Sequence, residues 1–129
     1  ILTYTVAATN IGAGAAQNNS IWISDTVPSN TYLSVSDFNG IAGTGPVEEQ
    51  LSSSPSGLSY SFISLNSSSD DIEFSNNNGS SFNYSPVPDS EGTDKNITHF
   101  RINPKGIFQA PAAGESSTKF TIKFRVQLQ

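Results

Sequence analysis

A chain of 129 residues has room for one domain with a real core and not for two ordinary ones. A net charge of -5 with only 6 Lys and Arg argues against the basic surface that nucleic acid or an anionic membrane requires. The absence of cysteine excludes disulfides, thiolate nucleophiles and Cys-based zinc sites.

Hydrophobic content of 35% places the chain among globular proteins, and its Ser, Asn, Thr and Gly supply turns and solvated strand faces. No apolar run reaches the roughly 20 residues of a spanning helix, and no basic-then-apolar leader opens the chain, so membrane insertion is not expected. The chain opens inside a strand pattern and contains no methionine. The expectation is a single β-sandwich domain over 1–129, taken from a longer chain.

In chain order, "LTYTVAAT" puts Leu2, Tyr4, Val6 and Ala8 on one face and Thr3, Thr5 and Thr9 on the other. A turn follows, in which the Asn10 side chain caps the backbone and Gly12 tolerates positive φ. Ile21 and Ile23 then share a face, with Trp22 opposite. Asp25 follows that strand, its carboxylate placed to accept the next backbone N–H groups, while Pro28 fixes φ and ends the ladder. Leu33 and Val35 alternate with serines, and Leu58, Tyr60 and Phe62 alternate in "GLSYSFISL".

"IEF" and "FNY" flank the Asn78-Gly79 pair, a hairpin signal. Ile97 to Ile102 predicts another strand. The last strand is the clearest, with Phe120, Ile122, Phe124, Val126 and Leu128 facing inward and Lys119, Lys123 and Arg125 forming a basic outer face. That outer charge is expected to discourage pairing between sheets. The stretches Asp37 to Ser56 and Ser85 to Asn96 lack periodicity and read as elaborated loops. No stretch carries helical spacing, and about seven to nine strands predict an all-β, antiparallel sandwich.

The segments "LTYTVAATNIGAGAAQN…IWISDTVPSNTYL" and "STKFTIKFRVQL" resemble the immunoglobulin-like repeat family of bacterial and archaeal surface proteins known as domain of unknown function eleven. The likeness rests on a Tyr-Thr strand, a Thr-Asn-x-Gly turn at Thr9, Asn10 and Gly12, and Asp-Thr-x-Pro at Asp25, Thr26 and Pro28. It covers roughly the first 35 residues and the last dozen. It implies an immunoglobulin-like topology, an extracellular or cell-surface setting and a spacer or adhesin role beside neighbouring domains, with no catalytic residue. Residues 37 to 117 are longer than a plain repeat needs, which leaves open a role in binding a surface glycan or protein.

Chemistry is sparse. His99, the only histidine, shares a face with Ile97 and Arg101 and offers no second imidazole to a metal. No Gly-x-Ser-x-Gly elbow or phosphate-binding glycine pattern occurs, so no enzyme activity is expected. Asp70, Asp71 and Glu73 are sequence neighbours rather than carboxylates across a cleft, and read as a solvated loop. Strand-terminal Lys and Asn partners for an isopeptide crosslink are missing, and the Asn-x-Ser/Thr sites at Asn18, Asn66, Asn78, Asn83 and Asn96 are assigned no role. For ligand binding, Trp22 and Tyr84 are the aromatic candidates. In "PDSEGTDKN", Asp89, Glu91, Asp94 and Asn96 surround Gly92 with side-chain oxygens that calcium could use, although the order is not that of an EF-hand. No cofactor is required, and the expected state is a monomer.

Overall fold

Ten strand segments follow one another in the computed structural model, which describes residues 1–129: β1 (Leu2–Asn10), β2 (Ile23–Thr26), β3 (Thr31–Ser34), β4 (Val47–Gln50), β5 (Leu58–Ser59), β6 (Ile72–Ser75), β7 (Thr93–Asp94), β8 (His99–Ile102), β9 (Lys105–Gly106) and β10 (Thr118–Leu128). The one helical element is a single 3-10 turn at Phe38–Gly40. All the strand ladders are antiparallel. The all-β expectation holds.

β10 organises the first sheet because its alternation is unbroken: Phe120, Ile122, Phe124 and Val126 are almost fully buried. One edge of β10 pairs with the whole of β1, from Leu2 opposite Val126 to Asn10 opposite Thr118. The other edge is shared by β4, opposite Thr121 to Phe124, and β3, opposite Val126 to Leu128, with β7 beyond β3. The second sheet runs β2-β8-β6. Phe100 from β8 meets Phe124 edge-on with ring centroids 4.9 Å apart, joining the two sheets across one core.

Several expectations change on this frame. β10 is a central strand, so its cations guard no free ladder; the longest strand with an unpaired edge is β1, which carries no charge. Arg125 stacks over Phe38 at 4.9 Å and donates to the Asp37 carbonyl at 3.0 Å, so it packs rather than repels. Leu128 is exposed because it lies beyond the β1 ladder. Tyr4 is 37% exposed, since no strand covers the outer side of β1, yet its ring stacks on Phe124 at 5.3 Å. Val6, Ile21 and Ile23 are half-buried against the core rather than within it.

Turns follow local chemistry. Asn10 accepts the Gly12 N–H at 2.9 Å, as the turn reading requires, and its amide also donates to the Gly14 and Gln109 carbonyls at 3.0 Å each. Gly12 itself does not adopt positive φ. Asp25 lies inside β2, opposite Phe100, rather than after the strand; its Oδ1 accepts the Thr26 N–H at 2.8 Å. Past Val27, whose N–H reaches the Thr98 carbonyl, Pro28 offers no donor and the chain crosses to the other sheet. At the hairpin, Asn78 and Gly79 both take positive φ, 58° and 77°, and only a bridge from Phe74 to Tyr84 continues the pairing.

The stretch read as a loop from Asp37 to Ser56 contains β4, hidden from the alternation rule because Glu49 stands opposite Ile122 on the inner side. Its carboxylate is satisfied there by the Tyr60 N–H at 2.9 Å. Conversely, "GLSYSFISL" alternates but pairs only at Leu58–Ser59; Tyr60 and Phe62 pack on the core from irregular backbone.

Phe124→Ala, measured by denaturant unfolding, is expected to cost about 3–5 kcal/mol because the ring touches both sheets; a loss within about 0.5 kcal/mol would mean the faces are reversed. Replacing Lys119 and Lys123 with Thr should leave sedimentation at high concentration unchanged, because no unpaired ladder lies beside them. New self-association in that variant would restore a protective role to these two lysines.

Candidate functional site

Register on the second sheet decides which side chains meet outside it. Ile23, Ile102 and Ile72 lie opposite one another and face the core, so the neighbouring row, Ser24, Arg101 and Glu73, faces out. Trp22, one residue before Ile23, points to the same side, as alternation predicts, and is 50% exposed. Arg101 then becomes the hub of the face. Its guanidinium carbon lies 4.4 Å from the ring centroid of Trp22 and 4.4 Å from that of Phe82, and it binds the Glu73 carboxylate at 2.6 Å. A half-exposed ion pair contributes little by itself, but a cation held between two rings fixes the orientation of both.

Two adjoining clefts flank this hub. One, of about 220 Å³, is bordered by Trp22, Ser68, Asp70, Asp71, Asn103 and Lys105. The other, of about 240 Å³, is bordered by Leu65, Ser68, Ile72, Phe82, Asn83 and Tyr84. Glu73 and Ser68 belong to both.

The first cleft is built on buried polar groups. Asp71 is 4% exposed, so the solvated-loop reading of the Asp70–Glu73 segment fails for it. Its Oδ2 accepts the Ser61 N–H at 2.8 Å and its Oδ1 lies 3.3 Å from the Lys105 ammonium. Burial pushes the Asp70 carboxyl above its ordinary range and the Asp71 charge adds to this, while the N–H groups of Ile63 and Ser64 pull the other way. Burial likewise raises the Tyr60 phenol, helped by Asp70 and Asp71, and its hydroxyl is buried without a partner.

Asn103 was not singled out by sequence reasoning, yet it positions Trp22. Its amide donates to the carbonyls of Asn19, at 3.1 Å, and Ile21, at 2.7 Å, while its own Oδ1 accepts from Lys105. The available signal was an Asn before Pro104 at a strand end, a place where Asx side chains commonly bond backbone.

Tyr84 and Trp22 serve different purposes. The Tyr84 hydroxyl donates to Asp94 Oδ2 at 2.9 Å, and burial together with that carboxylate raises the phenol above its usual range. Asp94, 2% exposed, also accepts the Val87 N–H at 2.7 Å and the Asn96 N–H at 2.8 Å. Tyr84 is therefore a tether whose ring borders one cleft.

The four calcium candidates do not converge. Asp89 accepts the N–H groups of Glu91 and Thr93, both at 2.9 Å, and the Thr93 hydroxyl at 2.8 Å. The Thr93 donors hold its carboxyl below the usual range. Asp94 is committed inward, Glu91 takes a hydrogen bond from Gln127, and Asn96 donates toward Tyr84 at 3.4 Å. No three His, Cys, Asp or Glu side chains are grouped to hold a metal ion. As folded, these side chains bond to neighbouring protein groups rather than to one shared centre.

His99 faces outward from β8 beneath the Gly79 turn, where a Cβ on that glycine would lie 3.5 Å from its ring. Its buried Nδ1 has no hydrogen-bond partner, so no carboxylate orients it for proton transfer.

Compared with protein-family models, curated proteins and solved structures, the chain matches none.

Asp94→Ala is expected to cost about 3 kcal/mol or more, because a tyrosine hydroxyl and two N–H groups lose a charged acceptor. Tyr84→Phe should cost about 1–2 kcal/mol. Thermal melts of the unmutated protein in calcium and in chelator should coincide; a higher midpoint in calcium would mean that the Asp89–Asn96 loop rearranges around the ion.

Proposed function

We propose that the chain is a non-catalytic, immunoglobulin-like module of a larger bacterial surface or secreted protein, acting as a structural repeat or adhesive spacer outside the cell. The observation that carries this reading is the β1–β10 ladder. The two segments that resemble the repeat family stand at opposite ends of the sequence, and they lie side by side over nine paired positions. The Asn10 turn bond to the Gly12 N–H lends further support, since it lies in the Thr-Asn-x-Gly element on which the resemblance rests. Each module of such a chain has its own core, and its turns and loops face the surroundings.

A second reading is ligand binding through residues 37 to 117. It is favoured by one cleft bordered by residues from Leu65 to Ser85 and by a second bordered by Ser68 to Glu73, Asn103 and Lys105, with an exposed Trp22 at its margin.

Antibody raised against the module should label intact cells of the parent organism, and brief protease treatment of those cells should remove the signal. Antigen found only after lysis would overturn the surface assignment.

A further inference from the structure

We propose that the outer face of the β2-β8-β6 sheet is a binding groove for a neutral oligosaccharide, with a pyranose ring seated in each of the two clefts beside the Glu73–Arg101 pair. This deepens the ligand-binding reading above and rests on it.

The chemistry of a sugar sets two demands. The C–H faces of a pyranose are apolar and pack against flat aromatic surface, while its rim of hydroxyls both donates and accepts hydrogen bonds. Each cleft is bordered by aromatic and by polar side chains. Trp22 borders the first and Phe82 and Tyr84 the second. In the first, the carboxylates of Asp70 and Glu73 accept, Lys105 donates, and the hydroxyls of Ser68 and Ser69 do either. Asn66 and Asn83 provide paired amide donors and acceptors in the second.

The aromatic surface is also held in place before any ligand arrives. Arg101 lies against both Trp22 and Phe82, Glu73 fixes Arg101, and Asn103 ties down the backbone on either side of Ser20, just ahead of Trp22. Side chains already ordered cost little further entropy on binding, which suits weak, rigid polar ligands.

Charge selects among sugars. Asp70, Asp71 and Glu73 outnumber Lys105 and Arg101 on this face, and both cations are already engaged by carboxylates. Uronic acids and sulfated sugars would meet net repulsion. Two adjoining clefts sharing Ser68 and Glu73 match consecutive residues of a chain better than a single monosaccharide.

Trp22 is the only tryptophan, so its emission reports on the groove without labelling. The intact chain would be screened on an array of cello-, manno-, xylo-, galacto- and chito-oligosaccharides with polygalacturonate beside them, and hits titrated by fluorescence and calorimetry. Saturable binding of a neutral oligosaccharide, with a shift in Trp22 emission, is expected. Trp22→Ala should weaken binding by about tenfold or more in calorimetry, and Trp22→Phe should recover part of it. Ser68→Arg, on an exposed position shared by both clefts, should abolish binding without changing the melting midpoint. No response to any neutral glycan, preference for polygalacturonate, or full affinity in both Trp22→Ala and Ser68→Arg would overturn the proposal. A protein ligand whose capture is lost in Ser68→Arg, with no glycan bound, would overturn the sugar assignment and leave the ligand-binding reading standing.

Discussion

The ring of Phe124 lies between two others, stacked on Tyr4 from the neighbouring strand and met edge-on by Phe100 from the opposite sheet. Because Phe124 sits midway along a strand that is paired on both edges, this one contact aligns β1, β4 and β8 together. Without cysteine or a fitted metal site, the sheets have only such packing to hold them face to face. The remaining core, from Leu33 to Val126, fills in around that alignment.

Loops of this length would fray if their polar groups were left to water, and the chain answers with buried side chains that act as local anchors. Ser75, with no exposure, gathers the Asn78-Gly79 turn: its hydroxyl accepts from the N–H groups of Asn77 and Gly79 and donates to the Asn77 side chain. Asp94 gathers Tyr84, Val87 and Asn96, and Asp71 joins Ser61 to Lys105. Each carboxylate is buried with its hydrogen bonds made, the condition under which such burial is tolerated.

The outer face of the second sheet is a by-product of that order. Core alternation forces Glu73 and Arg101 outward on adjacent strands, the Ser75 anchor turns the chain so that Phe82 returns over them, and Asn103 holds the approach to Trp22. A cation packed between two rings and paired to a carboxylate is the result, with a cleft on either side.

Period-two alternation determined the fold class, the burial of Phe120, Ile122, Phe124 and Val126, and the outward placing of Trp22, because side chains on a pleated strand alternate whatever surrounds them. Asn10 and the Asn78-Gly79 pair were legible for a similar reason: their effect is confined to a few bonds of backbone. Which strand became an edge could not be read that way. Pairing is a choice among distant segments, so the charged strand β10 became central and the uncharged β1 was left at the border. β4 escaped notice because Glu49 breaks the alternation, and only the Tyr60 N–H, eleven residues on, makes that position tolerable. The burial of Asp71 and Asp94, and the meeting of Trp22, Phe82, Glu73 and Arg101, likewise belong to tertiary structure alone. They join groups separated by up to 79 residues, from Trp22 to Arg101, and nothing in the local chain specifies that distance.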